Sequence, residues 1–159
     1  HYIIKLHILV MVNNMIKIIC VGKIKEKYLN DLINDYMTRI NKYHKISVIE
    51  LKDSNINDES NEILNHLSKS DYNICMAIEG TKTSSIELSK IINNAFINSY
   101  KSIVFIIGGS DGINDSVKKE CNLLLSFSDL TFPHGLFRGI LLEQIYRSFK
   151  ILNNETYHK

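Results

Sequence analysis

Residues 102–112 read SIVFIIGGSDG, an uncharged apolar run that ends in a glycine-rich turn. A short apolar run of this kind, rich in β-branched side chains, predicts a strand that is buried on both faces. The glycines after it allow the backbone to turn sharply or to approach a ligand closely. Because strands buried on both faces are typical of parallel sheets covered by helices, this stretch indicates an α/β fold.

Outward from this run, strand and helix patterns alternate along the chain. The predicted strands cover residues 15–21, 45–52, 72–78, 102–107 and 123–127, and the predicted helices cover 25–43, 59–69, 84–98, 115–122 and 136–151. Asp58 is the expected cap of the second helix, and Ser84 with Glu87 has the spacing of a capping box. Alternating strands and helices predict a mostly parallel sheet with helices on both faces.

Three loops are the expected place for a ligand, because open α/β sheets bind ligands beyond the carboxyl ends of their strands. They are residues 80–83, predicted as a turn, 108–112 and 128–135. The GGSDG loop lacks both the dinucleotide fingerprint and the lysine of a P-loop, so a plain strand-to-helix turn is the alternative. The single proline, Pro133, stiffens the third loop, whose backbone groups suit a small polar ligand such as an adenine edge.

Composition limits the class of protein. The 159 residues, 45% hydrophobic and 23% charged, fit one globular domain. Cys20, Cys75 and Cys121 lie far apart without a CxxC pair, so reduced thiols are expected, and neither a disulfide framework nor a metal site is indicated. The formal net charge of +2 does not by itself indicate a nucleic-acid-binding protein.

The near-neutral total conceals an uneven distribution of charge. Residues 15–45 carry seven Lys and Arg against three Asp and Glu, whereas residues 46–100 carry four against eight. The basic first segment is either a solvated helix surface or a surface that contacts phosphate.

Residues 1–14 precede the first predicted strand and contain an apolar run too short to span a membrane. We interpret them as an organelle-targeting leader or an upstream extension, and residues 15–159 as a single domain. The cytoplasm is the expected compartment, and an organelle is the alternative if the leader is real.

Several charged and aromatic residues of the last helix and the tail could carry chemistry. Glu143 and Arg147 have the spacing of a surface ion pair on a helix. The chain terminus, Tyr157-His158-Lys159, combines groups that can stack on a base, move a proton and neutralise a phosphate, although short tails are usually solvated.

Four segments of the chain match a known family in order and spacing. They are the opening segment MIKIICVGKIKEKYLNDLINDYMTRINKYHKISVIEL at residues 15–51, IIGGSDGI at 106–113, LLLSFSDLTFPHGLFRGILLEQIYRSFKI at 123–151, and the terminal YHK. Together they resemble the RlmH family of SPOUT-class methyltransferases. The resemblance implies a SPOUT-type, mostly parallel sheet with helices on both faces and a C-terminal deep trefoil knot.

The resemblance also implies an activity and its partners. The expected reaction is methyl transfer from S-adenosylmethionine to N3 of pseudouridine in large-subunit (23S-type) rRNA, in assembled ribosomes. The expected enzyme is a homodimer in which the partner protomer completes each site, without a metal or a membrane. The implied cofactor pocket consists of Met76, Gly108, Gly109, Phe127, Ser128, Asp129, Leu130, Thr131 and Phe132.

The same resemblance places Arg138, Tyr157, His158 and Lys159 toward the RNA and the methyl group, and we add hypotheses about their roles. Tyr157 and His158 are expected to provide or position the base that removes the N3 proton, with Glu143 as a third candidate. Arg138 and Lys159 are expected to hold RNA phosphate.

Two departures from the family pattern leave other functions open. The segment 51–61 is shorter than in bacterial relatives, and Ala77 stands where they usually carry an acidic residue, a loss for which Glu79 could compensate. A catalytically inactive RNA- or ribosome-binding protein is therefore the main alternative. A nucleotide-binding regulator is a weaker one, because the P-loop lysine and the Rossmann spacing are absent.

Overall fold

The computed structural model describes residues 15–159 as one five-stranded sheet with helices on both faces. The prediction about residues 1–14 lies outside the described residues. The strands are β1 (Met15–Val21), β2 (Ile46–Leu51), β3 (Tyr72–Lys82), β4 (Ser102–Ile107) and β5 (Leu123–Ser126). The helices are α1 (Lys27–Asn41), α2 (Ile56–Asn65), α3 (Ser85–Ile97), α4 (Asp115–Lys118) and α5 (His134–Leu152).

The strands lie in the order β2-β1-β4-β3-β5, and each neighbouring pair is parallel. Successive residues of a strand point to opposite faces, and β4 follows this rule while being buried throughout. Ile103 and Phe105 belong to the core beneath α1, α3 and α5, whereas Val104 and Ile106 belong to the core beneath α2 and α4. The predicted fold class, with helices on both faces, is confirmed.

Two local predictions agree closely with the structure. The Ser84 hydroxyl accepts a hydrogen bond from the Glu87 amide, and the Glu87 carboxylate accepts one from the Ser84 amide, which completes the capping box of α3. The apolar run that opens the sequence argument forms β4 with the predicted limits. Both features depend on neighbouring residues alone, so the local pattern contains the required information.

Several element boundaries were predicted wrongly. Helix α2 begins at Ile56, three residues earlier than predicted, and its cap is Asn55, not Asp58; the Asn55 side chain accepts from the Asp58 amide at 2.9 Å. The predicted helix 115–122 ends at Lys118, and the last helix begins at His134, directly after Pro133. Asparagine is an effective cap, but its abundance along this chain makes it a weak signal.

The prediction of a turn at residues 80–83 was wrong, because β3 continues to Lys82. Its pairing with β5 breaks after Met76 and resumes at Thr81, which again lies opposite Leu125, so the intervening residues form a bulge and not a turn. A Cβ on Gly80 would lie 2.6 Å from the backbone carbon of Leu124. This glycine therefore allows two backbones to approach closely, a role that glycine also has inside strands.

Helix α5 packs between α1 and α3 on its face of the sheet. The order of the strands does not fix how the chain threads through its own loops, so the predicted knot stays a prediction. Within residues 15–159, no helix combines the length and the apolar character that crossing a membrane requires.

Candidate functional site

A cavity of about 260 Å³ opens at the carboxyl ends of β3, β4 and β5, which are neighbours in the sheet. We call it the strand-end cavity. Its volume is close to the lower end of the range of roughly 300–1,000 Å³ typical of small-molecule sites. Its wall includes eight of the nine residues predicted to contact a cofactor, namely Met76, Gly108, Gly109, Phe127, Ser128, Leu130, Thr131 and Phe132.

The ninth residue, Asp129, is not part of the cavity wall. Its carboxylate lies 2.5 Å from the Lys82 ammonium group, and both side chains are largely exposed. The loop therefore turns Asp129 toward β3 and the solvent. Spacing along the sequence placed the loop correctly but could not show which of its side chains face inward.

The GGSDG loop folds back on itself beside the cavity. The Gly112 amide donates to the Gly109 carbonyl at 3.0 Å, and Gly112 has a φ of +79°, a conformation that favours glycine. A Cβ on Gly108 would lie 2.6 Å from the Ile113 side chain and 2.7 Å from the Gly112 carbonyl oxygen. This part of the wall is therefore formed by backbone packed too closely for a side chain.

Another part of the cavity wall is aromatic, and hydrogen bonds from serine hydroxyl groups hold the loop that carries it. Phe137 of α5 lies 5.6 Å from Phe127 and 6.2 Å from Phe132, measured between ring centroids. The Ser126 hydroxyl donates to the Ser128 carbonyl, and the Ser128 hydroxyl accepts from the Leu130 amide. These bonds fix the loop after β5, so the aromatic rings stand at defined positions beside the cavity.

A second cavity of about 300 Å³ adjoins the first and shares Phe127, Ser128 and Phe132 with it. Gln144 of α5 lies in its wall, where its side-chain oxygen accepts from the Ser85 hydroxyl at 2.6 Å. The Gln144 amide nitrogen donates to the Glu143 carboxylate at 2.9 Å. The wall of the second cavity is therefore one hydrogen bond away from Glu143.

Those charged side chains hold the chain terminus in place. Arg147 donates to Glu143 at 2.5 and 3.0 Å, and the Tyr157 hydroxyl donates to the same carboxylate oxygen at 3.0 Å. The Arg147 guanidinium lies 4.7 Å from the centre of the Tyr157 ring and 3.3 Å from Nδ1 of His158. We call these four residues, Glu143, Arg147, Tyr157 and His158, the tail cluster.

The tail cluster is more than the surface ion pair predicted for Glu143 and Arg147. These two side chains are only 19% and 24% exposed, since the tail covers them. Burial raises the pKa of Tyr157, and its contacts with Tyr36 and Glu143 raise it further, so its hydroxyl stays protonated at neutral pH. None of the four residues belongs to the wall of the strand-end cavity.

The chain is similar in sequence to known proteins over most of its length. The family model described as "Predicted SPOUT methyltransferase" matches residues 15–158. A Ribosomal RNA large subunit methyltransferase H from Fusobacterium nucleatum is 47% identical, and the match covers 91% of this chain and 99% of the relative. One of the same name from Clostridium botulinum is 45% identical with the same coverage.

The chain belongs to the RlmH family of SPOUT methyltransferases. Solved structures support the fold. A methylase family protein from Haemophilus influenzae superposes with a TM-score of 0.55 at 11% identity, covering 87% of this chain and 66% of its own. A methyltransferase from Bordetella pertussis does so with a TM-score of 0.53 at 4% identity, covering 91% of this chain and 99% of its own.

Arg138, which is expected to hold RNA phosphate, is buried in the described chain. It is 4% exposed, and its guanidinium donates to the Glu50 carboxylate at 2.7 Å and to the Gly22 carbonyl at 3.1 Å. A guanidinium engaged in this way is not presented to solvent in the described chain, and its contact with phosphate stays a prediction. Arg138 instead fixes the loop after β1 against α5.

Several other residues of the cavity wall were not assigned from the sequence, among them Ile113, Lys118, His134 and Phe137. They reach the wall because α4 folds back over the end of β3 and because α5 begins beside the loop after β5. No short motif signals either arrangement. Within residues 15–159, no group of three or more His, Cys, Asp and Glu side chains is arranged to hold a metal ion.

Proposed function

We propose that this protein transfers a methyl group from S-adenosylmethionine to N3 of a pseudouridine in large-subunit ribosomal RNA. The observation that carries the proposal is the coincidence of two results. Relatives more than 40% identical over almost their whole length are named Ribosomal RNA large subunit methyltransferase H. In this chain the loops expected to bind their cofactor enclose one cavity.

The strand-end cavity fits the cofactor in shape and in chemistry. Met76, Leu125 and Phe137 offer apolar surface for an adenosine group, and the backbone at Gly108 allows close approach. When bound there, S-adenosylmethionine supplies an electrophilic methyl group on a sulfonium ion. The residues of the wall have to hold the donor in one orientation, and positioning of this kind is the main contribution of an enzyme to such a transfer.

The basic first segment supports contact with RNA. Lys23 and Lys25 are exposed in the loop between β1 and α1. This loop lies against the beginning of α5, because a Cβ on Gly135 would be 3.5 Å from Ile24. His134, the preceding residue of α5, lines the strand-end cavity. The two exposed lysines flank Ile24 on the side of α5 whose first residue lines the cavity, and we assign them to contact with RNA phosphate groups.

The tail cluster has a revised role in this proposal. A guanidinium nitrogen only donates, so Nδ1 of His158 accepts from Arg147 and its Nε2 carries the proton. In this tautomer His158 offers a hydrogen-bond donor at Nε2. Such a donor stabilises the negative charge that spreads to the carbonyl oxygens of the pseudouridine when N3 gives its proton to solvent water. Glu143 and Tyr157 hold Arg147 and the tail in position.

The proposal requires a second copy of the chain. Tyr157 and His158 are absent from the wall of the strand-end cavity in their own protomer. A homodimer in which each tail reaches the cavity of the partner satisfies this requirement, and it agrees with the expectation from the family.

The test is methyl transfer from radiolabelled S-adenosylmethionine to ribosomes and to free large subunits prepared from cells that lack this modification. We expect label in the large-subunit rRNA and a methylated pseudouridine in its nucleoside digest by mass spectrometry. Normally modified ribosomes serve as the control substrate and are expected to take up no label. Ribosome binding without transfer would refute the proposal and favour the inactive RNA-binding protein.

A further inference from the structure

We propose that Glu79 and Lys118 form a subsite for the zwitterionic amino-acid end of the cofactor. This inference rests on the proposed function. Lys118 Nζ donates to the Glu79 carboxylate, and both side chains belong to the wall of the strand-end cavity. The two residues are thus a pair of opposite charges in the wall of the cavity.

The pair joins two elements that meet only in the folded chain. Glu79 lies on β3, beyond the point where its pairing with β5 becomes irregular. Lys118 is the last residue of α4, which follows the GGSDG loop. The buried side chain of Val117 anchors α4 against the core. Because both ends of the pair are attached to the core, the two charges stay at a defined position beside the cavity.

Among the described residues of the wall, Glu79 and Lys118 are the only Asp, Glu, Lys or Arg. The remaining wall consists of aliphatic, aromatic, glycine, alanine and hydroxyl-bearing residues together with His134. Small-molecule sites typically combine a mostly apolar wall with a few placed polar groups that fix the orientation of the ligand. The position of this pair in the wall agrees with such an orienting role.

The exposure of the two side chains indicates that the pair contributes more to ligand binding than to the stability of the fold. The side chains of Lys118 and Glu79 are 22% and 57% exposed, and ion pairs with this degree of exposure stabilise a fold only slightly. Lys118 holds the pKa of Glu79 below its usual range, and Glu79 raises the pKa of Lys118. Both groups are therefore charged at neutral pH and available to a ligand that carries both signs.

The chemistry of the ligand matches this arrangement. The amino-acid end of the cofactor carries an ammonium group and a carboxylate on one carbon atom. Glu79 can accept from the ammonium group while Lys118 donates to the carboxylate, and charge-assisted hydrogen bonds of this kind are stronger than neutral ones. A ligand without the amino-acid end cannot use either contact.

Two ligands that differ in the amino-acid end distinguish recognition of that end from a general effect on the cavity. S-adenosylhomocysteine and 5′-methylthioadenosine share the adenosine and a neutral sulfur, but only the first has the amino-acid end. Binding of both is measured by calorimetry to the wild-type protein, to Lys118→Met and to Glu79→Gln. We expect each variant to lose about tenfold in affinity for S-adenosylhomocysteine and less than about twofold for methylthioadenosine.

The matched control is Lys82→Met, since Lys82 pairs with Asp129 at a similar place but outside the cavity wall. This variant is expected to bind both ligands like the wild type, and thermal unfolding checks that every variant is folded. Equal losses for the two ligands would overturn the inference, because the pair would then shape the cavity or hold the ribose. Unchanged affinities would overturn it as well. Failure of the wild type to bind either ligand would instead overturn the proposed function itself.

Discussion

The strand-end cavity and the tail cluster are built by different kinds of interaction. Backbone and apolar side chains form most of the cavity wall, and at Gly108 there is no space even for a methyl group. Charge-assisted hydrogen bonds among side chains hold the tail cluster, with Glu143 accepting from three different residues. The cavity should therefore be sensitive to small changes in volume, and the tail cluster to the loss of single polar atoms.

The largest effect that this comparison predicts is at Gly108. Replacement by alanine would place a Cβ against the Gly112 backbone, so the loop after β4 would have to move. A rearrangement that costs about 2–3 kcal/mol weakens cofactor binding roughly 100-fold. Calorimetry with S-adenosylmethionine measures this loss.

Gly109→Ala is the matched control for Gly108→Ala. The atoms nearest to a Cβ there belong to side chains, those of Glu59 at 3.0 Å and of Val21 at 3.1 Å, which can shift slightly. We expect a loss of affinity below about tenfold. Equal affinities for Gly108→Ala and the wild type would show that this backbone does not shape the binding site.

The second prediction concerns the loss of one polar atom from the tail cluster. Tyr157→Phe removes the hydroxyl that donates to Glu143, and the ring keeps its contact with Tyr146. A hydrogen bond to a charged group contributes about 1.5–3 kcal/mol, so we expect methyl transfer to fall at least about tenfold. The affinity for S-adenosylmethionine should stay unchanged, since Tyr157 is outside the cavity wall.

Steady-state transfer and calorimetry, performed on the same preparation, separate these two quantities. His158→Ala is the companion variant, and we expect the same combination of slow transfer and normal cofactor binding. Wild-type transfer rates in both variants would remove the tail cluster from the reaction. A loss of cofactor affinity would contradict the separation of the two regions.

The third prediction uses pH to probe the core on the side of the sheet that carries α5. His44 stacks between Phe96 and Phe149, and its Nε2 has no hydrogen-bond partner among the described residues. Burial lowers the pKa of His44. Below about pH 6.5 the unfolded imidazole binds a proton that the folded one resists. The free energy of unfolding should therefore be highest above that pH and decrease as the pH falls further.

Urea unfolding between pH 7.5 and pH 5 measures this dependence. His44→Gln is expected to be less stable overall but to lose this part of the slope. His66→Gln, which changes an exposed histidine, is expected to retain the wild-type slope. If the free energy of unfolding of His44→Gln depended on pH as steeply as that of the wild type, other groups would be responsible for the pH dependence.

The smallest predicted difference is between two ion pairs. Glu143 and Arg147 are partly buried in the tail cluster, whereas Lys82 and Asp129 are 65% and 71% exposed beside the cavity. Double-mutant cycles in urea should give a coupling free energy of about 1 kcal/mol for the first pair and less than about 0.5 kcal/mol for the second. A larger coupling for the exposed pair would contradict the contrast between the two regions.

The sequence predicted the strand-end site better than it predicted the element limits. Loop positions follow from where apolar runs end, so Gly108 and Phe127 were assigned to the cavity wall before the fold was known. Asp129 was predicted to contact the cofactor and Arg138 to contact RNA phosphate. In the folded chain Asp129 forms an ion pair with Lys82, and Arg138 forms one with Glu50. Which way a side chain points in an irregular loop depends on contacts between distant segments, and spacing does not contain them.

The sequence by itself determined the alternation of strands and helices, the buried strand β4, the capping box of α3 and the family of the protein. These features depend on short-range periodicity and on motifs of a few neighbouring residues. Only the tertiary structure decided that Glu79 meets Lys118 and that Tyr157 meets Glu143. Both contacts join segments brought together by packing on the sheet, and the free energy that brings them together comes from the core and not from the residues in contact.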